Sequence, residues 1–240
     1  MLRQVDLLIE KCDTARLFSS LAVKIHAYLM NTIDQELAAE FHKQELRPYG
    51  LFTYEHKNAV IFRFSALNDT ALPLYTLCLN IKKIKIFGIE NDIKVIRTIP
   101  YPELTIDEIK HAPVPRVFGL LFASPATYRQ GNKYRDTYSA PQLLYSVADK
   151  LRINEGISIP NQAIDLCEEI LQMDSYRFSS ETYLVKKGNI IPGFIGEAKF
   201  RLTGTERQNK SIMLLLRYAC YSGLGAKTAL GMGGVLIGQI

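Results

Sequence analysis

Four prolines, Pro100, Pro102, Pro113 and Pro115, cluster near the middle of this 240-residue chain, and the stretches on either side carry the same order of elements. Proline has no amide hydrogen for a strand ladder or a helix interior, so this density marks a junction. Before it, residues 5–10 read as a strand. Leu17, Leu21, Ile25, Tyr28 and Leu29 recur at helical spacing. Thr32 with Gln35 has the form of a capping box, which predicts a second helix to about Gln44. Residues 48–53 and 58–67 read as strands around a turn near His56 and Lys57, residues 69–80 as helical or irregular, and 81–87 with 92–99 as a further strand pair. After the prolines come a strand over 117–123, helices over 143–151 and 163–173, and a hairpin of 178–185 with 190–202. A last helix over 206–221 carries an apolar stripe of Ile212, Leu215, Leu216, Ala219 and Cys220, and Thr205 with Gln208 repeats the capping-box form. Each half thus runs strand, helix, two strands, helix, strand. That order predicts an α+β chain of two tandem ferredoxin-like domains, 1–112 and 113–240.

Composition narrows the class of function only slightly. Apolar residues make up 48% and charged residues 22%, which suits packed cores and not a disordered chain. A net charge of +5 favours a polyanionic partner without demanding one. No apolar run approaches the ~20 residues a membrane helix needs, and Met1 to Glu10 lacks a signal peptide's apolar core. Cys12, Cys78, Cys167 and Cys220 are widely spaced with no C-x-x-C pair, so free thiols in a reducing cytoplasm are expected. His26, His42, His56 and His111 show no ligand spacing, so no metal and no cofactor is expected. His56 falls in a turn and His111 among the prolines, and neither is given a role.

The most unusual stretch follows the last helix. Gly223, Gly225, Gly231, Gly233 and Gly234 place five glycines within twelve residues, with Lys227 and Thr228 between them. Consecutive amides in such a loop can cradle a phosphate, to which a lysine and a hydroxyl would add. Two standard loops are excluded. Ala226 separates Gly225 from Lys227, which breaks the Gly-Lys-Ser/Thr of a P-loop, and Thr228 stands where the dinucleotide fingerprint needs its third glycine. Phosphate contact and a helix C-cap followed by a turn both remain open on these grounds.

A helix ending in Tyr218-Ala219, followed by Gly-x-Gly-x-Lys-Thr-x-x-Gly-x-Gly, resembles the closing motif of the CRISPR-associated repeat-processing endoribonucleases of the RAMP superfamily. Gly193-Phe194-Ile195-Gly196 is similar to that family's Gly-Phe-x-Gly segment, and Ser124-Pro125 and His42 with Pro48 match further elements. The resemblance implies two ferredoxin-like (RAMP, RRM-like) domains. It also implies metal-independent cleavage of CRISPR precursor RNA within its repeats, by attack of a ribose 2′-hydroxyl, leaving a 2′,3′-cyclic phosphate and a 5′-hydroxyl. The partners implied are CRISPR repeat RNA and either an interference complex or a second copy of the chain. A non-catalytic RNA-binding subunit of the same superfamily would share the tail and need no histidine.

Such cleavage needs a base, an acid and a cation, and histidine suits proton transfer near neutrality. His42, at the end of the second predicted helix, resembles the family's catalytic histidine. His26 resembles a histidine that members carry in the first helix, and its helical phase sets it to one side of the apolar stripe. Tyr28 resembles a general acid–base position, yet its phase puts it on the buried stripe. Lys43 and Arg47 are the expected cations beside the phosphorus. Arg129, Lys133 and Arg135, interleaved with Tyr128 and Tyr134, form a candidate stacking and phosphate surface. Lys186 and Lys187 form a basic hairpin tip. Gly223, Gly225, Lys227, Thr228, Gly231 and Gly233 are the expected RNA-backbone contacts of the tail.

Overall fold

The computed structural model describes residues 1–10, 18–56, 59–86, 92–186 and 189–238. The first sheet is built from β1 (Arg3–Ile9), β2 (Tyr49–His56), β3 (Ala59–Ala66), the two-residue β4 (Lys83–Ile84) and β5 (Ile93–Pro100), in the order β2-β3-β1-β5-β4. All its pairings are antiparallel. Helices α1 (Phe18–Thr32) and α2 (Gln35–Lys43) connect β1 to β2, and α3 (Leu72–Asn80) follows β3. Setting β4 aside, this is the ferredoxin-like order. Strand alternation aims Val5, Leu7 and Ile9 at a core shared with Leu21, Ile25 and Leu29 of α1 and Leu74 and Cys78 of α3.

The second sheet has the order β11-β6-β10-β9, from β6 (Val117–Ala126), β9 (Leu171–Lys186), β10 (Asn189–Leu202) and β11 (Val235–Gly238). Its helices are α5 (Ala140–Glu155) and α8 (Glu206–Ser222), with the short α6 (Asn161–Asp165) and α7 (Cys167–Ile170) leading into β9. A small hairpin of β7 (Tyr128–Gln130) and β8 (Lys133–Arg135) follows β6. The ferredoxin-like order therefore occurs twice in one chain.

Several local expectations change. Asp34, not Thr32, caps α2, accepting from the amides of Glu36 and Leu37 at 2.9 and 3.1 Å. Thr32 instead closes α1, its hydroxyl donating to the Tyr28 carbonyl at 2.8 Å. The proline-rich junction holds a helix, α4 (Ile106–His111), started by a complete capping box of Thr105 and Glu108. The helix expected over 163–173 is two short turns, and residues 171–173 already belong to β9.

The face of the first sheet turned away from α1 and α3 is covered by the other half of the chain. Gln4 donates to the Cys220 carbonyl of α8 at 3.0 Å, while Phe52 and Tyr54 pack with Ala123 of β6 and Leu236 of β11. Asp6 and Arg63 are buried on that face as a bidentate pair at 2.7 Å, with the Tyr54 and Tyr101 hydroxyls completing the acceptors' shell. On this face the two halves thus meet through the Gln4–Cys220 hydrogen bond and apolar packing, while the Asp6–Arg63 network belongs to the first half.

Candidate active site and nucleic-acid interface

The two histidines singled out by sequence lie on one helical hairpin, in opposite environments. His26 is only 5% exposed, so its expected place beside the stripe is corrected: it belongs to the buried face of α1. The reason is Tyr49, the first residue of β2, whose hydroxyl lies 2.9 Å from His26 Nε2 and supplies the hydrogen bond a buried ring needs. The two rings stack with centroids 5.9 Å apart. Burial, and to a smaller degree the charges of Arg47 and His42, pushes the His26 pKa down to about 3. His26 is therefore a neutral core imidazole at neutral pH. Tyr28 is corrected in the other direction. It is half-buried at the edge of the core, with its hydroxyl donating to the Lys83 carbonyl at 3.3 Å.

His42 stands exposed in the last turn of α2, beside exposed Lys43. The residue before it is anchored from two sides. Tyr49 packs edge-on against the Phe41 ring at 5.5 Å, and Arg47 Nε donates to the Phe41 carbonyl at 3.1 Å, capping the helix end. Imidazole, ammonium and guanidinium groups thus gather at one helix C-terminus, where the macrodipole favours positive charge.

The glycine-rich tail is not an open cradle. Gly223, Gly225, Gly231 and Gly233 are buried, as is the Thr228 side chain, and of the six expected contacts only Lys227 is exposed. The tail's amides are largely engaged by protein: Leu224 with the Gly233 carbonyl, Gly225 with Ser146 Oγ, Ala226 with the Thr127 carbonyl, and Gly233 with the Pro125 carbonyl, each at 2.8 Å. Its glycines serve close packing. A Cβ at Gly234 would meet the Phe52 ring at 2.2 Å, and one at Gly231 would meet Ala22 of α1, one turn before His26, at 2.4 Å. The tail is thereby wedged against both β2 and α1. Lys227, in contrast, holds a left-handed φ of +61° without being glycine, which marks a conformation imposed by its surroundings.

The same packing explains the weaker motif elements. Ser124 Oγ accepts from the Gly234 amide at 2.8 Å, and a Cβ at Gly193 would sit 2.9 Å from the Ala126 carbonyl. Gly196, at φ +135°, lies at the break in register where β10 passes β6.

Arg129, Lys133 and Arg135 are exposed on the β7–β8 hairpin, which Arg129 stiffens by donating to the Gly131 carbonyl at 3.0 Å. Tyr134 turns inward to join Tyr183, Ile191, Met232 and Val23, so the small hairpin, the long β9–β10 hairpin, the tail and α1 share one cluster. Lys187 and the side chain of Lys186 lie outside the described residues. Sequence reasoning missed Ser146 and Lys150 on α5, the side chains that hold the tail from beneath; a lysine on an apolar helical stripe beside Leu143, Val147 and Leu151 was the available signal. Among the described residues, no three His, Cys, Asp or Glu side chains converge as metal ligands do, and no helix is long and apolar enough to cross a membrane.

Comparison with known proteins agrees with this architecture. A family model, CRISPR-associated endoribonuclease Cas6, matches residues 120–235. The chain is 25% identical over 224 residues to the CRISPR-associated endoribonuclease Cas6 of Streptococcus thermophilus, covering 90% of each protein. It is 23% identical to the Mycobacterium tuberculosis protein of the same name, over 98% of this chain and 76% of that one. A Cas6 product complex superposes with a TM-score of 0.79 at 20% identity over 98% of both chains. Thermus thermophilus Cas6 gives 0.73 at 21% identity, over 99% of this chain and 98% of that one.

Proposed function

We propose that the chain is a member of the Cas6 family of CRISPR-associated endoribonucleases and that it cuts CRISPR precursor RNA within its repeats, without a metal ion, by internal attack of a ribose 2′-hydroxyl. The observation that carries this reading is His42, exposed at the anchored C-terminus of α2 with Lys43 and Arg47 beside it. In the reaction a base takes the 2′-hydroxyl proton, the 2′-oxygen bonds to phosphorus, and the bond from phosphorus to the 5′-oxygen breaks as that oxygen takes a proton from an acid. His42 is the principal acid–base group. Lys43 and Arg47 offset the charge that builds on the phosphoryl oxygens.

His26 takes a positioning role in this scheme. Buried and neutral, it bonds to Tyr49, which packs on Phe41 directly before His42. Tyr28, at the rim of α1, is a candidate second proton carrier. Residues 1–112 supply the chemistry and residues 113–240 most of the RNA surface, through Lys227, Arg129, Lys133 and Arg135 and the basic pair Lys186 and Lys187. The glycines of the tail contribute shape instead of contacts.

The test is incubation of the protein with its cognate repeat RNA in EDTA. Cleavage leaving a cyclic phosphate is expected for the wild type, and its loss for His42→Ala. No cleavage by the wild type, or undiminished cleavage by a His42→Ala, His26→Ala double variant, would overturn the assignment. Tight binding without cleavage would make the chain a non-catalytic repeat-binding subunit.

A further inference from the structure

The strongest feature outside the histidine site is a lysine in the wrong place for its charge. Lys150 lies on the buried face of α5 between Val147 and Leu151 and is 5% exposed. Among the described residues no carboxylate neutralises it. Its ammonium instead donates to three backbone carbonyls at the entrance to the glycine-rich tail, those of Ser222, Gly223 and Gly225, at 3.2, 3.0 and 3.2 Å. Three donors meet three acceptors, which is the full capacity of an ammonium. A buried lysine of this kind is costly unless its hydrogen bonds are complete.

In a trans peptide the C=O and the following N–H point in opposite directions. Drawing these three carbonyls onto Lys150 therefore turns the amides of Gly223, Leu224 and Ala226 the other way. Each of those amides finds a carbonyl on its far side: Ala219, Gly233 and Thr127, all at 2.8 Å. The Gly225 amide returns to α5 through Ser146 Oγ. The loop is thus pinned peptide by peptide from two sides, with α5 supplying one side. The residue that leaves the pinned stretch is Lys227, exposed and held at positive φ.

We propose that Lys150 is a positioning residue for RNA binding: by gathering the three carbonyls it fixes the glycine loop so that Lys227 is presented to the RNA backbone, though Lys150 itself touches no RNA. This rests on the RNA-processing reading above, and the two can fail separately. Burial pushes the Lys150 pKa down to about 7, while the three acceptors favour its charged form, so the latch is assembled from a cation with little margin.

The test is a double-mutant cycle on repeat-RNA affinity as a function of salt. Lys227→Ala should lower the slope of log affinity against log salt by about one, the signature of one lost phosphate contact. Lys150→Met, which keeps the buried stem and removes the charge, should weaken binding about tenfold and lower the slope by about the same amount. The rate of cleavage at saturating enzyme should stay within about twofold. The double variant should be no worse than Lys150→Met alone, because a mispresented Lys227 has no contact left to lose. An unchanged salt slope in Lys150→Met, or strictly additive losses, would overturn the proposal. If Lys150→Met does not fold, Ser146→Ala removes a gentler pin from the same helix and must show the same non-additivity with Lys227→Ala. If the wild type fails to bind repeat RNA, the functional reading falls, and amide exchange over 222–231 still decides the latch: faster exchange in Ser146→Ala supports it, and unchanged exchange refutes it.

Discussion

The end of α2 and the glycine-rich tail are the two regions whose sequences point most directly at RNA, and they are built on opposite plans. At the end of α2 the backbone is tied down, by Arg47 on the Phe41 carbonyl and Tyr49 on the Phe41 ring, while the His42 and Lys43 side chains face solvent. Beneath the tail the side chains that matter are buried Lys150 and half-buried Ser146 of α5, and a single residue, Lys227, emerges among the expected contacts. The first region spends its order on presenting reactive groups, the second on shaping a backbone. Substitutions should therefore damage chemistry in one and stability or affinity in the other.

The largest effect is expected at His42. His42→Ala should slow single-turnover cleavage by about 10²–10⁴-fold, the usual worth of a general acid–base group, with RNA affinity within about twofold. A matching loss of affinity would break the distinction. Next comes the tail's backbone. Gly233 has a φ of +68°, and a Cβ there would sit 1.9 Å from the Leu224 carbonyl oxygen. Gly233→Ala should lower unfolding free energy by about 2–4 kcal/mol in urea melts. Gly238→Ala is the control, since a Cβ there meets nothing within 4 Å. Equal melts for the two variants would mean that the tail is not the packed wedge described above.

A smaller, pH-dependent effect is expected at His26. The folded His26 pKa, about 3, lies below its ordinary 6.5, so the unfolded state takes up the proton first. Stability from this residue is complete above about pH 6.5 and declines as pH falls toward 3, by up to about 1.4 kcal/mol per pH unit. His26→Phe should flatten that part of the pH dependence in urea melts between pH 7 and 4.5. An unchanged profile would mean that His26 is not the buried imidazole described above. The smallest effect is at Lys227, where Lys227→Ala should weaken RNA binding only a fewfold while lowering the salt slope by about one. An unchanged slope would remove Lys227 from the RNA surface.

Much of the fold could be read directly from the chain. The doubled strand–helix–strand–strand–helix–strand order, the Thr205–Gln208 capping box and the stripe of α8 all depend on local spacing, and the structure keeps them. Errors fell where two local signals compete. Thr32 has the spacing of a cap, yet the Asp34 carboxylate, which reaches two amides, defines the start of α2. In the junction, the Thr105–Glu108 box outweighed the surrounding prolines. The candidate site was legible only in part. His42 and its cations follow one another closely in sequence, whereas the environment of His26 depends on Tyr49, a residue from another element.

Sequence by itself determined which elements form and in what order, because hydrophobic period, caps and proline act over a few residues. It also determined that the tail is rich in glycine and that a histidine stands at a helix end. Tertiary structure decided what those features face. Tyr49 made His26 a core residue, Phe52 and Ala22 made the tail glycines contact points, and Lys150 gave the loop its shape from a helix more than seventy positions away. Burial and hydrogen-bond pairing are properties of neighbours in space, and a chain read in order does not list them.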